Sequence, residues 1–418
     1  MNRTDKDYQK YIAILKEELV PAGGCTEPIA IAYTAAVACK TLGRKPERME
    51  VYASGNLIKN AKGVYIPNGG DLRGVNAAAV LGAIGGNPER ELEVLLDMPA
   101  GKLDEARRLL EQEFCKVFVL ENSEALHLVI HVYAEGDEAE VELKNAHLHI
   151  VRIEKNGEIL FCCKEESRGD GLTDHDCLSV EKIYDFANTC YLQDVSEVLE
   201  KQIACNRKIA EEGLKNSWGI NVGKLYYKNG KFLQAYAAAA SDARMSGCNM
   251  PVVIVSGSGN QGATASLPVI LFAEEKGIEH ERLLRALTLS NLIAIHLKSG
   301  IGRLSAYCGV VCAATGSGCA MTYLDGGSLE QIEQTITNSI GTSSGMVCDG
   351  AKPSCAAKIA TSLEGAIMAH ELAMRHQAFR PGEGIVMESV EETIGAVGCM
   401  ASEGMYETDR VILDLMTK

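Results

Sequence analysis

The chain reads as an α+β protein in which an antiparallel-sheet α/β subdomain is followed by a larger helical subdomain. Three observations predict this. Between residues 48 and 161, short runs of alternating apolar and polar residues are separated by glycine- and asparagine-rich turns, which is the two-residue period of strands. From residue 179 onward the apolar spacing changes to three and four residues, the period of helices. A length of 418 residues also exceeds what one hydrophobic core usually supports.

Residues 8–20 have helical spacing and stop at Pro21-Ala22-Gly23-Gly24. The alanine-rich run 29–42 is expected to be a buried helix, with Thr26 suited to its N-cap and Pro28 to its first turn. Cys25 then stands just before a helix N-terminus. Segment 1–45 is expected to pack on the helical subdomain. Residues 49–53 read as a strand, while Gly55-Asn56 and Asn68-Gly69-Gly70-Asp71 read as turns. A helix is expected over 103–113. Strands are expected over 125–133, 140–143 and 147–153, and Asn156-Gly157 marks a hairpin onto 159–161. This makes 46–175 the sheet subdomain, with the polar stretch 165–170 as linker. In 176–418 helices are expected over 195–214, 266–276, 281–296, 304–324, 329–340, 353–375 and 390–403. Several are rich in glycine and alanine and almost uncharged, as helices buried on most sides are.

With 41 basic and 56 acidic side chains the formal net charge is -15. Such a surface repels phosphate backbones and anionic lipid, so neither nucleic acid nor a membrane is an expected partner. An acidic substrate would have to be drawn in by local donors instead. The uncharged stretch 304–324 is long enough to span a bilayer. Its glycines, hydroxyl residues and cysteines (Cys308, Cys312, Cys319) fit a buried core helix better. Residues 1–15 show neither an apolar signal core nor a small-residue cleavage site, so a cytoplasmic location is expected. Self-association into a homo-oligomer is left open.

The chain carries 15 cysteines, an odd number that speaks against a disulfide scaffold. In a reducing compartment most cysteines act as small buried hydrophobes. Cys25 differs, because a helix N-terminus favours thiolate. Cys348 and Cys355 flank a loop rich in glycine and proline, and Cys308 lies upstream. Soft thiolates on stiff backbone suit iron–sulfur clusters, although this spacing is neither that of ferredoxins nor a zinc-ribbon pair of pairs. Ser256-Gly257-Ser258-Gly259-Asn260-Gln261-Gly262 matches the dinucleotide fingerprint literally, but no repeating βαβ pattern surrounds it. A glycine turn whose Ser258, Asn260 and Gln261 meet a substrate carboxylate is the better functional reading, with plain tight packing as the alternative. Asn56, Lys59 and Arg73 sit in two polar turn segments that would offer further carboxylate contacts. His296, Lys298 and Arg303 cluster before the cysteine-bearing stretch.

Taken together, Gly24-Cys25-Thr26-Glu27-Pro28, Gly257-Ser258-Gly259-Asn260-Gln261-Gly262, Gly302-Arg303-Leu304-Ser305-Ala306-Tyr307-Cys308-Gly309 and Cys348-Asp349-Gly350-Ala351-Lys352-Pro353-Ser354-Cys355 resemble the L-cysteine desulfidase family. That family is related to the α-chain of iron–sulfur L-serine dehydratases. The likeness runs nearly end to end, closing with Gly404-Met405-Tyr406-Glu407-Thr408-Asp409. It implies a PLP-independent carbon–sulfur lyase that turns L-cysteine into pyruvate, ammonia and sulfide around a [4Fe-4S] cluster. It also implies that Cys308, Cys348 and Cys355 are the cluster ligands and Cys25 the catalytic cysteine. Some relatives read Cys-Gly-Cys where this chain has Cys308-Gly309-Val310, so the second position is dispensable. Cys312 and Cys319 then return to filler. Three protein thiolates leave one iron open as a Lewis acid, and Cys25 is either a base or a displaceable fourth ligand. L-serine dehydration is the nearest rival reading. A non-catalytic iron–sulfur sensor is the rival from another class, although the chain has no evident DNA-binding segment through which to act.

Overall fold

The computed structural model describes residues 1–99, 101–121, 123–163 and 173–417. The expected linker, 165–170, lies outside these residues.

Helices α1 (Lys6–Glu18) and α2 (Thr26–Leu42) flank a three-residue strand, β1 (Pro21–Gly23). Strand β2 (Arg48–Ser54) leads into α3 (Gly55–Lys62), α4 (Val75–Gly85) and α5 (Lys102–Glu111). Five strands follow: β3 (Cys115–Leu120), β4 (His127–Ala134), β5 (Asp137–Lys144), β6 (Ile150–Lys155) and β7 (Glu158–Cys162). Then come α6 (Val180–Thr189), α7 (Ser196–Lys215), α8 (Val222–Lys228) and α9 (Phe232–Met245), followed by β8 (Pro251–Val253) and α10 (Gly259–Glu275). The chain continues through α11 (His280–Ser299), α12 (Val310–Leu324), α13 (Leu329–Ser343), α14 (Cys355–Ala373), α15 (Val390–Cys399) and α16 (Tyr406–Thr417). The expected α+β class with a dominant helical part is therefore what the molecule has.

The six-stranded sheet runs β3-β2-β4-β5-β6-β7. Every neighbouring pair is antiparallel except β2–β3, which is parallel. Burial alternates strictly along β4, so Leu128, Ile130, Val132 and Ala134 face one side. That face packs on α2 and α4, and together they enclose one hydrophobic cluster. A second cluster gathers α1, α6, α10, α11, α12 and α13. Every residue of α12 is buried, as expected for a helix that is small-sided and apolar all round. Among the described residues no helix is long and apolar enough to cross a membrane.

Four expectations change. α2 packs with α4 under the sheet rather than on the helical part, where α1 does pack. Gly55-Asn56 does not turn the chain but opens α3, because residues that suit turns also suit helix starts. The helix expected from 304 begins only at Val310, leaving Cys308 on irregular backbone. The sheet is antiparallel except for the edge strand β3, whose six residues were not anticipated.

α2 and α4 cross closely because Gly82 has no side chain: a Cβ there would fall on the Ala32 carbonyl. Gly82→Ala should therefore cost about 1–3 kcal/mol through overpacking. A urea unfolding curve with an unchanged midpoint would contradict this close approach.

Candidate active site

A short antiparallel ladder assembles the site. β1 pairs with β8, with Pro21 opposite Val253 and Gly23 opposite Pro251. This sets the start of α2 beside the glycine-rich turn that follows β8. In that turn Val255 and Ser258 exchange backbone hydrogen bonds of 3.1 and 2.9 Å, and both central residues, Ser256 and Gly257, have positive φ. Such a turn needs glycine or an equivalent. Here a Cβ on Gly257 would also stand 2.9 Å from His147 Cε1. The Thr26 hydroxyl donates to the Gly257 carbonyl at 2.7 Å, which fastens the two segments together.

A second ladder sets two of the late cysteines. Tyr307 and Val347 form an antiparallel bridge. Cys308 N–H donates to the Met346 carbonyl at 2.9 Å, and Cys348 N–H to the Ala306 carbonyl at 2.6 Å. Cys308 and Cys348 are thereby held side by side. Cys355 opens α14, and its thiol donates to the Gly350 carbonyl at 3.7 Å. The loop between them is stiffened by lysines: Lys352 donates to the Asp349 and Gly350 carbonyls at 3.0 and 3.1 Å, and Lys358 donates to the Val347 carbonyl at 2.7 Å and pairs with Asp349.

These segments surround one cavity of about 90 Å³. Its wall includes Cys25, Cys308, Cys348 and Cys355, together with Ser258, Asn260 and Gln261. Asn56, Lys59 and Arg73 are not on it. Asn56 and Lys59 lie on α3, where Lys59 is fully buried and paired with Asp409 of α16. Arg73 is exposed, with its guanidinium 5.8 Å from the centre of the Tyr65 ring. The turn reading of 54–60 concealed this, because α3 turns Lys59 away from the cavity and Asn60 into it. Cys312 and Cys319 are buried in the helical core and do not line the cavity.

Asn60, Arg244 and Lys358 line the cavity without a sequence signal of their own, and Glu27 lines it too. Of the cluster noted before the cysteine-bearing stretch, Lys298 and Arg303 line the cavity and His296 does not. Glu27 lay within a quoted motif but without a role. Cys25 donates its thiol hydrogen to Glu27 Oε2 at 3.0 Å, and the Thr26 hydroxyl oxygen, whose hydrogen goes to Gly257, lies 3.1 Å from the same atom. Asn60 donates to Glu27 Oε1 at 3.2 Å, while His147 Nε2 stands 3.9 Å from that atom. Residue 147 comes from the connection between β5 and β6, so both parts of the chain meet at Glu27.

The electrostatics reverse one expectation. A helix start was expected to make Cys25 a thiolate. Instead, burial and the Glu27 charge push its thiol well above the ordinary value, with Arg244 only partly opposing them, so Cys25 is a neutral thiol. Burial alone would raise Glu27, but His147 and the Cys25 thiol hold its carboxyl down at about 2. The pair Cys308–Cys348 shares its protons unequally. The neighbouring Cys308 thiol holds Cys348 below the ordinary thiol range, helped by the Lys59 charge, and Cys308 is raised in turn. Burial lowers the pKa of Lys298.

Among the described residues no three His, Cys, Asp or Glu side chains stand close enough to share a single metal ion. A four-iron cluster is a larger object whose ligand sulfurs stand well apart. Three thiols around one cavity, on backbone braced by hydrogen bonds, suit such a group in their chemistry.

Comparison with known proteins adds an independent line. Residues 90–414 match the family model described as serine dehydratase alpha chain. A UPF0597 protein of Lachnoclostridium phytofermentans is 49% identical, over 98% of this chain and 99% of its own length. UPF0597 proteins of Treponema denticola and Desulfitobacterium hafniense are each 46% identical over 100% of this chain, and the match covers 100% and 98% of their own lengths.

The thiol pairing has a measurable consequence. In reduced, metal-free protein Cys348 should react with iodoacetamide before Cys25 does. Its rate should already be half-maximal below the ordinary cysteine pKa of about 8.5. Peptide mass mapping across a pH series checks this; Cys25 labelling first at neutral pH would contradict the assigned charge states.

Proposed function

Because the chain belongs to the serine dehydratase alpha chain family, we propose that it is an iron–sulfur lyase acting on a small β-substituted L-amino acid, and specifically an L-cysteine desulfidase that forms pyruvate, ammonia and sulfide without PLP. The observation that carries this reading is the convergence of Cys308, Cys348 and Cys355 on one cavity that also has Cys25 in its wall. Cys308, Cys348 and Cys355 would hold a [4Fe-4S] cluster. When bound through three protein thiolates, such a cluster supplies a Lewis-acidic iron for the departing group.

The rest is done by the chain. Cys25 is assigned the proton transfer at Cα, acting as a base after its own hydrogen has passed to a water molecule. The Cα–H bond breaks toward Cys25 Sγ, its electron pair becomes the Cα–Cβ double bond, and the Cβ–S bond breaks with sulfur leaving as hydrosulfide. The resulting 2-aminoacrylate tautomerises to an imine, and water hydrolyses it to pyruvate and ammonia. Asn260 is held by Arg244 at 3.2 Å, which orients the glycine turn toward the substrate. Burial of the wall residues keeps bulk water from the carbanionic centre.

L-serine dehydration is the second reading, and the description of the matching family supports it. Hydroxyl and thiol leaving groups differ by one atom, and the same residues serve both. Anaerobic reconstitution with iron and sulfide, followed by parallel assays of sulfide from L-cysteine and pyruvate from L-serine, separates them. The desulfidase reading expects the first to dominate. Turnover of neither substrate by cluster-loaded protein would sink both readings and favour a sensor.

Substitution sharpens the ligand assignment. Cys348→Ala should lose the broad visible absorbance of the reconstituted protein and its turnover together, whereas Cys312→Ala should keep both. The reverse pattern would move the ligand set to Cys312.

A further inference from the structure

The cavity wall carries buried polar atoms that have no partner among the described residues. Glu27 stands on one side of it. Its carboxylate is buried, and among the described residues its only ion-pair partner is His147, at 3.9 Å too distant for a hydrogen bond. Asn60 beside it spends its amide N–H on Glu27. That contact fixes the orientation of the amide, since the reverse would set oxygen against carboxylate. Asn60 Oδ1 is then an acceptor, and it has no partner. Gln261 Oε1, on the same wall, is also buried and unpaired. Arg244 is the other side. It is 2% exposed, its Nη1 donates to Asn260, and its Nε has no acceptor. Buried donors and acceptors left open in one cavity point to a ligand that satisfies them.

We infer that the cavity is a receptor for a zwitterion, in which Glu27, Asn60 Oδ1 and Gln261 Oε1 take the α-ammonium of a free amino acid and Arg244 takes its α-carboxylate. An ammonium has three N–H donors and accepts nothing, so a wall of acceptors matches it. A guanidinium N–H matches a carboxylate. Glu27 suits an anchor better than a base, because a carboxyl held at about 2 is ionised at neutral pH and attracts protons weakly. His147 acts through Glu27 as a positioning residue. The accepted class is free α-amino acids. N-acylated residues and α-hydroxy acids lack the ammonium, the N-terminal residue of a peptide lacks the free carboxylate, and all should be excluded. This inference rests on the lyase reading for the use of the site, but its chemistry does not require turnover.

Calorimetry on the reconstituted protein tests it with three probes: L-alanine, propionate without the ammonium, and ethylamine without the carboxylate. Wild type should bind L-alanine at least about tenfold more tightly than either fragment. Glu27→Gln should weaken L-alanine about ten- to a hundredfold and leave propionate within about twofold. Equal binding of L-alanine and propionate by wild type would overturn the inference, and that comparison stands alone if the variant does not fold. A Glu27→Gln protein that keeps the preference for L-alanine would overturn it equally. Wild type that shows the preference yet releases neither sulfide nor pyruvate would sink the lyase reading and leave this one standing.

Discussion

The site depends on one small piece of pairing, the three-residue ladder between β1 and β8. Its partners lie more than two hundred residues apart in the chain. Without it the start of α2, with Cys25 and Glu27, would have no fixed relation to the glycine turn, and the cavity would lose one wall. The ladder is short, so it needs reinforcement. The Thr26 hydroxyl on the Gly257 carbonyl supplies that from one side, and packing of α2 against α4 and the sheet supplies it from the other. A preorganised cavity is the consequence: the groups that line it are fixed relative to one another.

Charge is the second constraint. The cavity region buries Glu27, Arg244 and Lys298, and burying a charge is costly unless it is paired or hydrogen-bonded. Lys59 shows the ordinary solution. Fully buried, it pairs with Asp409 and so ties α16 onto α3, while its charge still favours the Cys348 thiolate. Glu27 shows the other solution, in which neutral donors and a distant histidine hold a carboxylate that has no close cation among the described residues. An ammonium seated there would complete the pairing. It would also offset the charge that keeps the hydrogen on Cys25, so that substrate itself would prepare its base.

Much of the architecture was legible in local patterns. The Asn156-Gly157 turn does join β6 to β7, and the uncharged stretch near 310–324 is the fully buried α12. The late cysteines and the glycine turn were also visible, because cysteine, glycine and proline constrain backbone and chemistry within a few residues. What remained hidden depends on distance along the chain. Lys59 looked like an anion-binding turn residue until α16 brought Asp409 to it from 350 positions away. Arg244 sits near the end of the alanine-rich α9, where nothing local marks it as part of a site. The charge state of Cys25 followed the same rule: its helix start was legible, but the carboxylate and the burial that outweigh it were not.

The central claim is that three cysteines of this chain hold one cluster with a single iron left for substrate. Mössbauer spectroscopy of protein reconstituted anaerobically with isotopically labelled iron tests it most directly, before and after addition of L-cysteine. The account predicts that about a quarter of the iron signal, one site in four, changes on addition while the rest stays in place. A spectrum in which no iron responds, or all of it responds alike, would contradict it.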